Sequence, residues 1–369
     1  MSSSHSRQND VAWSLQTATV PPTVPLLKLF ASPRCFSRAT WLVAGALLVA
    51  GRAPAAGVPE KVLGPASCAE CHPQEIEVWK ATVHFKSLYQ SHRTPEATAI
   101  VNQLGLAPMK TEPLCAECHY LTKQVEGANE IAAAISCESC HGAARGWVEG
   151  HGDYGRGLKK ETEPAAHRTA RLAAAAAQGM IDPNDVYALG RNCYGCHVLQ
   201  DEKLANVGGH TPGSVGFNLL TWTQGEVRHN VLQNGGKANP EASPAIRRRL
   251  LAVGWILETE YCLRATAHAT EKAAYGITYA RRADAARKML EKIQGLAPTP
   301  ELAAILAVVR PLALKLNNAA ELAAAADKLT PLGRDFSDHV TDAQLAGLDS
   351  LLPGSDAYKG TPFQVAATP

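Results

Sequence analysis

The chain has 369 residues and a formal net charge of +2. That near-balance leaves no basic excess, so nucleic acid is not expected as a partner. Eight of its ten cysteines fall in i, i+3 pairs, a spacing poorly suited to mutual bridging, which argues against a disulfide framework.

At the N-terminus, Arg34 and Arg38 precede an apolar run from Trp41 to Ala50, followed by Ala53-Pro54-Ala55. A basic flank, a short apolar core and a small-residue site are the marks of a secretory signal. The run falls short of the roughly 20 apolar residues of a membrane span. Residues 1–55 are therefore expected to be a signal peptide, cleaved near Ala55, with an uncleaved membrane anchor as the alternative. Either form sends the chain to the periplasm. Cleavage would remove five basic residues and one acidic residue, turning +2 into −2. Met1 to Pro33 is long for a signal's basic region, so a later start codon would leave Cys35 irrelevant to the mature fold.

Residues 56–240 carry the chemistry. Cys68-Cys71-His72, Cys115-Cys118-His119, Cys137-Cys140-His141 and Cys193-Cys196-His197 are four copies of C-x-x-C-H. Two thiols one helical turn apart can each add to a vinyl group of a haem, and the next His is then held under the iron. Zinc is the alternative for C-x-x-C pairs, but zinc sites need no His directly after the second Cys, and all four pairs have one. The cofactors expected are four covalently attached haem c groups. Their bulk replaces most of a conventional core, so short helices and loops are predicted here. The clearest helix is Pro73 to Tyr89, with Ile76, Trp79, Val83 and Leu88 near helical spacing. His84 lies on it, thirteen residues after Cys71. Gly208–Gly216 and Asn234–Pro240 read as loops.

Beyond Ser243 the texture changes to an Ala-rich helical bundle over residues 241–355, with a flexible tail at 356–369. Ser243-Pro244 reads as N-cap and first helical residue, and Ile246, Leu250, Val253, Leu257 and Tyr261 form an apolar stripe. Thr299-Pro300 starts another helix, while Asn318 with Glu321 and Thr341 with Gln344 resemble capping boxes. Pro311, Pro331 and Pro353 are expected to break or end helices. Cys262 reads as a small buried residue, and His268 and His339 as surface residues.

With CAECHPQEIEVWKATVHFKS, SCESCHGAARGWVEGH and four attachment motifs in this order, the chain resembles the tetrahaem cytochrome c-554 family of multihaem c-type cytochromes over roughly Pro65 to Leu232. The resemblance implies a mostly α fold with closely packed haems. It also implies that His84, five residues after the Trp, and His151, downstream of CESCHG, are distal iron ligands. A further distal His follows the last motif, where His210 and His229 both match. The family leaves one haem without a sixth protein ligand, by order that of Cys115, Cys118 and His119. Here four distal candidates serve four irons, so full bis-His ligation is open to this chain. His92 and His167 are reserves, and Met109 or Met180 would raise a haem's potential if either ligated. Trp79, Trp147 and Trp222 are expected to pack on haems.

Two functions follow. The first is electron transfer between redox partner proteins through mostly bis-His haems, with the helical part as a docking or dimer surface or a stabilising cap. The second is an enzyme acting on nitric oxide, nitrite or hydroxylamine at a five-coordinate haem. That chemistry needs a proton source, and Glu112, Glu117 and Tyr120 beside the second motif read as ordinary exposed residues. No catalytic residue is assigned.

Overall fold

The computed structural model describes residues 58–232 and 235–365. The signal-like stretch 1–55 and the last residues of the tail lie outside the described residues. Among the described residues no helix is long and apolar enough to cross a membrane.

The chain is mostly helical. Residues 58–240 form short helices: α1 (Pro73–Ala81), α2 (Val83–Gln90), α3 (Pro95–Leu104), α4 (Pro113–His119), α5 (Cys137–His141), α6 (Ala165–Ala177), α7 (Val186–His197), α8 (Glu202–Asn206) and α9 (Leu219–Thr223). Four longer helices follow: α10 (Pro244–His268), α11 (Ala274–Leu296), α12 (Pro300–Val309) and α13 (Ala319–His339).

The single helix expected over Pro73 to Tyr89 is two. Thr82 interrupts it with an extended ψ of 161°, its hydroxyl accepting from the Phe85 N–H as the N-cap of α2. A β-branched residue with a capping oxygen favours that break. The break shifts the helical phase, which leaves Val83 55% exposed.

An antiparallel hairpin, β1 (Tyr120–Val125) and β2 (Ala128–Ala134), links the second attachment motif to the third. Sequence reasoning missed it, because the Ala-rich β2 has little strand propensity. The available signal was Glu126-Gly127, whose φ values of 50° and 85° make the two-residue turn that hairpins prefer. Tyr120, expected to be exposed, is 0% exposed. It opens β1 opposite Ala134, which turns its ring inward beside His119, with ring centres 6.5 Å apart.

Most of the apolar core lies late in the chain. One cluster runs from Val186 and Tyr187 through Leu219 and Leu220 to the long helices and Leu348, drawing on both sides of residue 240. Before residue 186 the described residues form only two small clusters, Val62 with Leu121, Ala133 and Ala143, and Ala144 with Trp147 and Ala175. Helix α10 is central. Its predicted stripe is buried at Leu250, Val253 and Leu257, but Leu251, Ala252, Ile256 and Leu263 on its other faces are buried too. A helix buried on several faces is enclosed by neighbours, here α7, α9, α11 and α13. Ser243 and Thr299 cap α10 and α12 as predicted.

Asn318 makes no cap bond; its amide donates instead to the Ala313 carbonyl at 2.9 Å. Thr341 and Gln344 do exchange reciprocal bonds, but a 3-10 segment, Ala346–Leu351, follows rather than an α-helix. Pro331 lies inside α13 rather than ending it. Tertiary bonds brace that turn: Tyr187 donates to the Thr330 carbonyl at 2.8 Å and Arg264 to the Asp327 carboxylate at 2.6 Å. Part of the expected flexible tail is tied down, with Tyr358 8% exposed and the Lys359 N–H donating to the Thr221 carbonyl at 3.0 Å.

A buried carboxylate organises the haem-motif region. Glu138, inside the third motif, is 1% exposed and accepts from the N–H groups of Leu63 (2.9 Å), Gly64 (2.6 Å) and Ala144 (2.7 Å). Replacing Glu138 by Ala strands three buried donors, and a loss of about 3 kcal/mol is expected, read as a lower guanidinium midpoint. At Gly333 an added Cβ would lie 2.7 Å from the Tyr187 ring and 3.0 Å from Ile256. Gly333→Ala should therefore destabilise by about 1–3 kcal/mol through overpacking. Gly295→Ala, also in a helix but with nothing within 4 Å, should stabilise by up to about 1 kcal/mol. Thermal melts of the two variants moving the same way would contradict this packing.

Candidate haem sites

Three of the four motifs end a helix: α4, α5 and α7 each finish on the motif's His. The helical period puts each Cys pair on one face with the His a turn further on. The first motif makes the same turn without a full helix, since the His72 N–H donates to the Cys68 carbonyl at 2.9 Å. Gly142, with φ 86°, follows the third motif where a Cβ would collide with the Gly179 carbonyl. That close approach lets His141 dock against the chain beyond α6, its Nδ1 bonded to the Ile181 carbonyl at 3.1 Å.

Each motif His faces one other His from a distant part of the chain. Ring centres are 6.2 Å apart for His72 and His151, 6.1 Å for His84 and His197, 6.3 Å for His119 and His210, and 6.1 Å for His141 and His229. Two imidazoles on opposite sides of one metal ion, at metal–nitrogen distances of about 2.0–2.1 Å, put their ring centres about 6.3 Å apart. The interplanar angles range from 19° to 87°, which such ligation allows because each ring turns about its own bond to the metal. Among the described residues no three or more His, Cys, Asp or Glu side chains converge as a metal cage. The donor set is two nitrogens per site, which suits an ion that brings its own four equatorial donors. A haem iron does.

In five of the eight paired histidines, His141 among them, the second ring nitrogen has a hydrogen-bond partner. Nδ1 of His151 bonds to the Val148 carbonyl (2.6 Å), that of His210 to Thr211 (2.7 Å) and that of His229 to Val227 (2.7 Å). Nδ1 of His197 meets the Ser214 hydroxyl at 2.6 Å. Such bonds fix the tautomer and leave Nε2 available. Burial keeps the motif imidazoles neutral: it pushes His119 and His141 down to about 4 and His197 to about 3. A neutral ring has the lone pair a metal needs.

The distal segments are held from outside. Arg171 donates to the His151 carbonyl and to the Glu163 carboxylate (2.7 and 2.6 Å). Gly208 and Gly209 turn the chain so that the His210 N–H meets the Leu204 carbonyl at 3.1 Å. The Asn239 amide donates to the carbonyl of Arg228, next to His229, at 2.7 Å. Of the reserves, His167 is turned to Glu163 at 2.7 Å, and Met180 packs against the Ala144, Trp147 and Ala175 cluster. Trp147 meets His151 edge-on at 5.1 Å, and Trp222 meets His197 at 5.1 Å. Trp79 donates to the Ile135 carbonyl at 2.8 Å. Phe217, which no sequence signal marked, stacks on His197 at 4.3 Å.

The motifs also adjoin one another. Cys68 lies beside Cys137, and Cys118 beside Cys196. Asn192, beside Cys193, donates to the Cys140 carbonyl at 2.9 Å. Cys262 is buried in the bundle, its thiol donating to Glu258 at 3.3 Å.

Comparison with known proteins agrees with this geometry over part of the chain. The cytochrome c-554 of Nitrosomonas europaea is 29% identical over 130 residues, covering 32% of this chain and 54% of that protein. The alignment thus spans about half the relative's length. No solved structure gives a significant match. Residues 67–142, which hold the first three attachment motifs, match the family described as cytochrome c554 and c-prime.

Proposed function

We propose that this protein is a periplasmic electron carrier with four covalently attached c-type haems, each iron held between two imidazoles. The observation that carries it is the common ring separation of 6.1–6.3 Å in four His pairs drawn from different parts of the chain. The family match over residues 67–142 supports the c-type cytochrome assignment, and the signal-like sequence at residues 1–55 supports export.

The haem supplies one-electron chemistry at its iron. Cys68 and Cys71, Cys115 and Cys118, Cys137 and Cys140, and Cys193 and Cys196 would hold the four groups, with His72, His119, His141 and His197 beneath them. His151, His210, His229 and His84 would fill the opposite positions in that order. Imidazoles on both sides leave no position for a substrate, so the residues' task is to hold geometry unchanged between oxidation states. The neighbouring motif residues support a path through the first, third, fourth and second attachment sites. At either end a redox partner protein would dock.

A small-molecule enzyme would need one open iron. The second motif, where the family leaves that opening, has His210 facing His119, which favours the carrier.

Carbon monoxide added to the dithionite-reduced protein should leave its spectrum unchanged. His210→Ala and His229→Ala should each convert one haem in four to a high-spin, carbon monoxide-binding form. A wild-type protein in which one haem in four binds carbon monoxide would replace the carrier by the enzyme. A polypeptide without the mass and peroxidase stain of attached haem would refute both.

A further inference from the structure

The long helices lie outside the matched family segment, yet one of them brings an incompletely paired cation to the fourth attachment site. Arg282 of α11 donates from Nε and Nη2 to the two oxygens of Glu258, at 2.7 and 3.0 Å. Its third nitrogen, Nη1, is buried without a hydrogen-bond partner. The guanidinium lies 5.4 Å from the ring centre of Tyr279, one turn earlier on the same helix. That tyrosine marks where α11 meets the site: a Cβ on Gly213 would sit 3.0 Å from the Tyr279 hydroxyl and against the His197 carbonyl. Ser214, the next residue, is bonded to the His197 ring.

A second buried pair in the same bundle shows what a complete set looks like. Glu260 is 0% exposed, and its partner Arg264 uses every nitrogen: Nε and Nη2 on Glu260 (3.3 and 3.1 Å), Nη2 also on Thr330 (3.0 Å), and Nη1 on Asp327 (2.6 Å). A guanidinium is a fork of donors suited to carboxylates, and leaving one buried donor unpaired is costly. A haem carries two propionate carboxylates, anions that must themselves be paired when taken out of water.

We propose that Arg282 Nη1 binds a propionate of the haem attached at Cys193 and Cys196, so that α11 holds that haem and sets its potential. The proposal rests on that haem being present, as in the function given above. Glu258, the guanidinium and the propionate then form one buried charge cluster. Arg282 touches the cofactor's periphery rather than its iron, and acts on the redox step by its charge.

The test uses the full haem-loaded protein and Arg282→Gln, with Arg264→Gln as control. Loss of a positive charge favours the ferric state, so one of four one-electron steps in a spectroelectrochemical titration should move to lower potential in Arg282→Gln and stay in place in Arg264→Gln. Glu258→Gln should move that step upward. The resonance Raman propionate bending band of one haem should shift in Arg282→Gln, because the band reports the hydrogen bond itself. If Arg282→Gln fails to accumulate with haem, Arg282→Lys keeps the charge but loses the fork, and should shift the band with little change in potential. A moved potential with an unmoved band would reduce Arg282 to a nearby charge and overturn the contact. Four attached haems with both readouts unmoved would overturn the proposal alone. A wild-type protein whose mass shows no haem at Cys193 and Cys196 would remove the reading beneath it.

Discussion

A metal ion between two imidazoles imposes a fixed separation on two pieces of backbone that need have nothing else in common. On the proposed ligation, much of the architecture before residue 240 meets that one condition four times. The motif histidines are placed by covalent spacing, since three of them end helices that also carry the Cys pairs. Of their partners, His84 lies in α2, while His151, His210 and His229 sit on short turns held by hydrogen bonds, such as those of the Leu204 carbonyl with His210 and of Arg171 with His151. Rigid anchoring on both sides would suit the proposed carrier, because reorganisation between oxidation states slows electron transfer. The small apolar clusters of this region fit a fold whose interior is shared with large flat cofactors.

Helix α7 joins this region to the conventional core. Its last turn carries the fourth attachment motif, while Val186, Tyr187 and Tyr194 of the same helix belong to the main apolar cluster. Tyr194 donates to the Gly254 carbonyl of α10 at 2.7 Å, and Tyr187 to the Thr330 carbonyl of α13 at 2.8 Å. Packing in the long helices is therefore transmitted directly to the position of His197. Burying Glu258 and Glu260 beside that junction is tolerable only because each has an arginine partner, and those partners tie α10 to α11 and to α13.

The attachment motifs stand out in the sequence at once, because covalent chemistry demands fixed residue types at fixed spacing. The four histidines that face the motif histidines were singled out in the sequence, but their pairing was not. His84 precedes three of the motifs yet faces His197 of the last one, and no local pattern encodes such a contact. Local misreadings have local causes. Thr82 offered both a helix-compatible apolar rhythm and a capping oxygen, and the cap won. Pro331 ends helices in isolation, but Tyr187 and Arg264 hold its turn in place here. The hairpin after the second motif rests on the Glu126-Gly127 turn rather than on strand-forming side chains. Arg282 carried no motif at all; it stands out only once its neighbours are known.

The pairing of histidines is interleaved along the chain. His84 awaits His197, while His72, His119 and His141 await His151, His210 and His229. A polypeptide threaded N-terminus first through a membrane could close no pair until residue 151 had emerged, and three of the four until residue 197 or later. Until then its attached porphyrins would be free to capture any passing imidazole. Faithful maturation of such a chain is therefore a problem of timing, in which wrong ligation must stay reversible long enough for the last segment to arrive.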